Sequence, residues 1–188
     1  MASKGLRSRG GFNVEMHLVG EWAKLNSLVN NLDTTISVAS TNAQLKLANK
    51  YKDRVKLNIR TGGKRFGYPK NKEDYSNFKK KKGGPNSLLV WSRAMHDNVE
   101  VVKLRGNRYG VGIPKNIKRA SYHRYDNNRL SVSEYANVLE HGTSKIKPRP
   151  VFSDTFRYDI GGIKGLKTYI EWHLRREFIK RGINLTKI

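Results

Sequence analysis

Apolar residues after Trp22 fall at spacings of three and four, with Leu25, Leu28, Val29 and Leu32 on one helical face. Ile36, Ala39, Ala43, Leu47 and Tyr51 carry the period on toward Ile59, and Asp33 is placed to cap this second helical segment. Upstream, Phe12, Val14, Met16 and Leu18 alternate with Asn13, Glu15, His17 and Val19, the pattern of a half-buried strand. Thr61-Gly62-Gly63 stops the helix. Further on, Leu88, Leu89, Trp91 and Met95 predict a short helix capped at Asn86-Ser87. Two strands follow, one carrying Val99 and Val101, the other Tyr109, Val111 and Ile113, with Arg105-Gly106-Asn107-Arg108 suited to a hairpin turn. Pro114 ends the second. Beyond a break at Gly161-Gly162, Ile163, Leu166, Ile170, Leu174 and Phe178 trace a helical stripe expected to face the core. Lys180-Arg181 favours the negative end of the helix dipole, and Gly182 supplies the stop. The pattern as a whole predicts an α+β domain, with a small mostly antiparallel sheet packed against a long N-terminal helical segment and a C-terminal helix.

Between these elements the pattern lapses into basic stretches. Lys64 to Gly84 mixes Gly67, Pro69 and several Asn and Lys residues, and it includes the run Lys79-Lys80-Lys81-Lys82. Such a segment lacks the apolar surface to order itself, so a mobile basic loop is expected at about 62–85 within a single domain spanning 12–188. Residues 1–11 read as a flexible basic arm, and Lys115 to Arg129 as a second surface excursion. Phe66, Tyr68, Tyr75 and Phe78 are interleaved with the first loop's cations. A solvated loop is the leading reading there, ahead of contact with duplex phosphates and then base stacking.

Charge changes the picture most. Thirty-eight Lys and Arg against 15 Asp and Glu give a formal net charge of +23, which implies an anionic partner, of which nucleic acid is the usual one. With 0 cysteines, disulfides and thiolate metal sites are excluded. No apolar run approaches the roughly 20 residues of a membrane helix. The basic N-terminus lacks the apolar core of a secretory signal.

The densest stretch runs from Ser133 to Phe156. Tyr135, Ala136, Val138 and Leu139 fit either a helical turn or a short strand. Gly142 supplies a backbone free to take positive φ, and Pro148 and Pro150 hold Lys147 and Arg149 extended. Past Pro150 a helix can open with Val151, Phe152, Thr155 and Phe156 on one side.

The order Tyr135-Ala136, Leu139-Glu140, Gly142-Thr143, Arg149-Pro150 and then Phe152 resembles the signature of the tail-completion family of long-tailed double-stranded DNA bacteriophages. His141 stands where that pattern more usually has Phe or Tyr, and Val151 where it has Phe. The resemblance covers about a tenth of the chain. It implies a structural virion protein of the neck between head and tail, forming a homo-oligomeric ring with other neck, portal-adaptor and tail-terminator proteins around the channel for double-stranded DNA. It implies no cofactor and no membrane. The candidate contacts with DNA or acidic partners are Lys79, Lys80, Lys81, Lys82, Lys118, Arg119, Arg124, Lys145 and Lys147.

Two other classes compete. A metal-dependent nuclease would need His96, Asp97, His123, Asp126 or His141 to converge with a base free to activate water. These histidines have no ligand-like spacing, and surface or capping roles account for them. His17 and His173 likewise have no partner in sequence. No phosphate-cradling glycine loop or nucleophile elbow occurs. A cellular basic nucleic-acid-binding protein of the ribosome-associated type would explain the charge, but no recognition module is present. Glu140, the acid beside Gly142-Thr143, is assigned to turn hydrogen bonding or to a salt bridge with a basic residue such as Arg149.

Overall fold

A computed structural model describes residues 21–81, 89, 93–106, 108–117 and 130–180. The chain forms two compact units, Met1–Val38 and Ala39–Ile188, where the sequence pattern predicts one domain from residue 12. The strand expected over Phe12 to Leu18 lies outside the described residues. In the first unit the described chain is helical, and Val29, Ile36 and Val38 are exposed, so Ile36 does not join a core.

Helix α1, Glu21–Arg60, is a single element with no interruption at Asp33. No glycine or proline falls within it, and nothing else in its sequence forces an end at that point. The second unit is built on its later turns. Ala39, Ala43 and Leu47 are buried, then Val55 and Ile59, one helical turn apart. Thr61 to Gly63 ends the helix as expected, with Gly62 and Gly63 both at positive φ.

Up to residue 81 the expected mobile loop is corrected by the structure, and residues 82–85 lie outside the described residues. A 3-10 turn, Lys64–Phe66, leads to helix α2, Glu73–Lys81, with Glu73 and Asp74 in its first turn and Lys79, Lys80 and Lys81 in its last. Those signs match the helix dipole at both ends. The interleaved aromatics give the segment its anchors. Phe66 lies 5.5 Å from Tyr68 and 6.0 Å from Tyr158, ring centre to ring centre, and the Tyr68 hydroxyl donates to Asp154 at 3.0 Å. These rings belong to the packing, which removes both the solvated-loop and the base-stacking readings for Phe66 and Tyr68.

A short helix α3, Ala94–Asp97, buries Met95. The hairpin β1, Glu100–Lys103, and β2, Tyr109–Gly112, pairs antiparallel with Val101 opposite Val111. Helix α4, Val132–His141, resolves the helix-or-strand ambiguity. Its start is fixed by Ser131. The Glu134 N–H donates to the Ser131 hydroxyl at 3.3 Å, and the Ser131 N–H donates to the Glu134 carboxylate at 2.7 Å, a reciprocal capping box. That N–H, and then the Ser131 hydroxyl, hold the Glu134 carboxyl below its usual range. Helix α5, Val151–Asp154, continues through a π turn, Thr155–Asp159, into helix α6, Gly162–Lys180.

The core joins Val55 and Ile59 of α1 to Met95, Val99, Val132, Ala136, Leu139 and Val151. Each large side chain buried there contributes about 1.5–3 kcal/mol. The α6 stripe is corrected. Its apolar residues are half-buried or exposed, and the buried side chain of this helix is His173, against the rings of Tyr169 and Trp172 at 4.7 Å. Gly182 lies outside the described residues. Among the described residues no helix is long and apolar enough to cross a membrane.

Candidate functional site

The Tyr135–Phe152 stretch forms a braced corner between α4 and α5. The Gly142 N–H donates to the Val138 carbonyl at 2.8 Å, closing α4, and the chain leaves at φ 75°, ψ −178°. Positive φ at Gly142 agrees with the sequence reading. The next residues fold back on themselves. The Thr143 N–H donates to the Ile146 carbonyl at 2.8 Å, and the Thr143 hydroxyl accepts from the N–H groups of Lys145 and Ile146 at 3.2 and 3.0 Å. The Arg149 N–H then returns to α4, donating to the Leu139 carbonyl at 2.6 Å.

Glu140 is the keystone of this corner. Its two carboxylate oxygens accept from the N–H groups of Phe152 and Ser153 at 3.1 and 2.7 Å, so the acid in α4 caps the start of α5. Of the two roles expected for Glu140, hydrogen bonding to the backbone is the one realised. Tyr51 reaches the same point from α1, its hydroxyl donating to the Phe152 carbonyl at 2.8 Å. Burial, and then the charge of Glu140, push the Tyr51 phenol well above its ordinary value and keep it a donor. Two helical turns on, the Asn58 amide donates to the Thr155 hydroxyl at 2.9 Å and to Asp159 at 2.8 Å, while Arg65 pairs with Asp159.

Arg149 does not meet Glu140. It is 8 % exposed, and its Nη2 donates to the Pro69 carbonyl at 3.0 Å, tying the segment before α2 to the corner. Its Nε is buried without a hydrogen-bond partner. The extended backbone anticipated from Pro148 and Pro150 therefore directs this side chain inward. The remaining motif residues are structural: Ala136 and Leu139 are buried, Tyr135 and Phe152 pack on the core, and Pro150 precedes α5. Lys145, Ile146 and Lys147 are exposed on the turn between the helices.

The other candidate contacts separate. Lys80 and Lys81 are exposed at the end of α2, but Lys79 is 4 % exposed and its Nζ lies 5.9 Å from the centre of the Tyr75 ring, so it is not presented at the surface. Lys82, Lys118, Arg119 and Arg124 lie outside the described residues. So do His17 and His123. His96 sits at the end of α3 with Nδ1 2.7 Å from an Asp97 carboxylate oxygen, and His141 is exposed in the last turn of α4. Among the described residues no three His, Cys, Asp or Glu side chains are grouped so as to hold a metal ion.

No family profile, curated protein or solved structure matches the chain. The partners of this corner, Tyr51, Asn58 and Pro69, had no sequence signal pointing to them, because each acts across a long stretch of intervening chain. The Ser131-x-x-Glu134 spacing was such a signal for α4.

Burial gives Lys79 a testable signature. Its ammonium is lowered from 10.5 to about 8, by burial first and then by the neighbouring Arg149 charge. The folded state therefore disfavours the protonated lysine, at full cost below about pH 8, and the cost disappears as pH rises toward 10.5. Lys79→Met removes this pH-dependent cost, so the stability of the variant relative to wild type should fall as pH rises from about 8 toward 10.5. Urea unfolding of this variant across that pH window, against Lys80→Met at the exposed neighbouring position, checks it.

Proposed function

We propose that this chain is a structural protein of the bacteriophage neck, forming a ring that completes the head or tail and joins the two around the DNA channel. The observation that carries the reading is the use made of Glu140. The acid at the centre of the resembling motif holds two backbone N–H groups of α5, so the motif acts as a frame, with Lys145 and Lys147 displayed on the turn it supports. Tyr51, Asn58 and Arg149 fasten that frame to α1 and to the segment before α2. A rigid frame with an exposed basic turn suits repeated contact in an assembly, and the reading places no reaction there.

Charge shapes how such a ring would work. Ring contacts are head-to-tail, each copy using two different surfaces. Copies carrying +23 each repel, and an anion in or beside the ring offsets that repulsion. DNA in the channel is the anion the reading assigns to Lys80, Lys81, Lys145 and Lys147, with Lys79 removed from the set by its burial.

Replacing those four exposed lysines by glutamate in virions tests the assignment. Heads that leak DNA while still attaching tails are the expected result. Intact heads that fail to attach tails would place the lysines against acidic neighbouring proteins instead.

A further inference from the structure

Helix α6 begins on two glycines at positive φ, Gly161 at 82° and Gly162 at 61°. Its first turn presses against the chain before it. A Cβ on Gly165 would stand 1.9 Å from the Ile160 carbonyl oxygen, and one on Gly161 would stand 3.3 Å from the Gly165 Cα. Backbone contact thus explains Gly161 and Gly165, and it leaves the surface above them without side chains. An open groove of about 680 Å³ results, bordered by Lys164, Thr168, Tyr169 and Trp172, with a lining that is nearly all carbon. Trp172 is 49 % exposed.

The aromatic residues of this groove are held by cations. The Arg176 guanidinium lies 4.7 Å from the centre of the Trp172 ring, and the Lys50 ammonium 5.5 Å from that of Tyr169. Lys164 lines the groove itself. Fixed aromatic side chains over a carbon-lined depression are the usual centre of a protein contact, and charges at its rim select the partner by sign.

We propose that this face of α6 is a docking groove for an acidic segment of another protein carrying an apolar anchor residue. Charge complementarity decides the occupant. Lys164 lines the groove and Lys50 and Arg176 stand over two of its aromatic rings, so an acidic flank gains where a second copy of this +23 chain would be repelled. A nucleic acid would gain from the cations but not from the glycine-floored, carbon-lined depression. The inference does not depend on ring formation.

Fluorescence anisotropy with a labelled Asp- and Glu-rich peptide bearing one central Trp tests it on the full chain. An anchorless peptide and a single-stranded oligonucleotide serve as comparison probes. The Trp peptide should bind best, and Trp172→Ala should weaken it by about tenfold or more. Lys164→Glu, at an exposed residue that lines the groove, should weaken it several-fold. Equal binding of the anchorless peptide would overturn the proposal. So would an oligonucleotide that binds tighter and depends on Trp172, or self-association of the chain that Trp172→Ala abolishes.

Discussion

Gly142→Ala is expected to destabilise the chain by about 3 kcal/mol or more, combining backbone strain with a collision. The Gly142 backbone, at φ 75° and ψ −178°, lies in a region that residues with a Cβ scarcely enter. Space forbids the substitution as well. An added Cβ would meet the Ile146 carbonyl oxygen at 2.8 Å and the Pro148 nitrogen and Cδ at 2.9 Å. Those are backbone and ring atoms, so no side chain can swing away. Relief would require opening the turn, and that turn positions the Arg149 N–H against Leu139 and the Glu140 carboxylate against α5. A fall in Tm on the order of 10 °C follows for a chain of this size. Gly67→Ala is the control that separates strain from collision. Gly67 has φ 65° with nothing within 4 Å of its would-be Cβ, and its replacement should cost about 1 kcal/mol. Equal losses at the two sites would mean that the crowding at Gly142 is relieved without cost.

Glu140 carries the second large effect. Its carboxylate satisfies two N–H donors at 3.1 and 2.7 Å, and hydrogen bonds to a charged acceptor contribute about 1.5–3 kcal/mol. Glu140→Gln keeps one acceptor and turns an amide donor toward the other N–H, so a loss of about 2 kcal/mol is expected. Glu140→Ala removes both acceptors and should cost about 3 kcal/mol. Chemical denaturation reads these losses directly. The order Ala worse than Gln worse than wild type belongs to a cap, whereas equal and negligible effects on stability would return Glu140 to consideration as a reactive acid.

Local signals that the chain can satisfy without distant partners were legible. The 3.6-residue period from Trp22 to Ile59, the hairpin around Gly106, the positive φ at Gly142 and the break at Gly161-Gly162 all appear as expected. The α+β class and the two antiparallel strands follow from them. Asp33 misled because a capping residue ends nothing by itself; with no glycine or proline nearby, the helix continues through it. Residues 64–81 misled for the opposite reason. Their composition says solvated, yet Phe66 and Tyr68 find Tyr158 and Asp154, partners some ninety residues away, and those contacts order them. Periodicity identified α6 as a helix but not the face it buries: His173 is buried, while the apolar stripe is half-buried or exposed. Of the candidate site, the motif's compactness was visible. The inward course of Arg149 and the burial of Lys79 were not, because both depend on where α2 packs.

Electron microscopy of the purified full chain, alone and mixed with phage tails, tests the central claim most directly. Closed rings of a single symmetry, seated at the end of the tail or at the neck, are the predicted result. A monomer that associates with no virion component would contradict it.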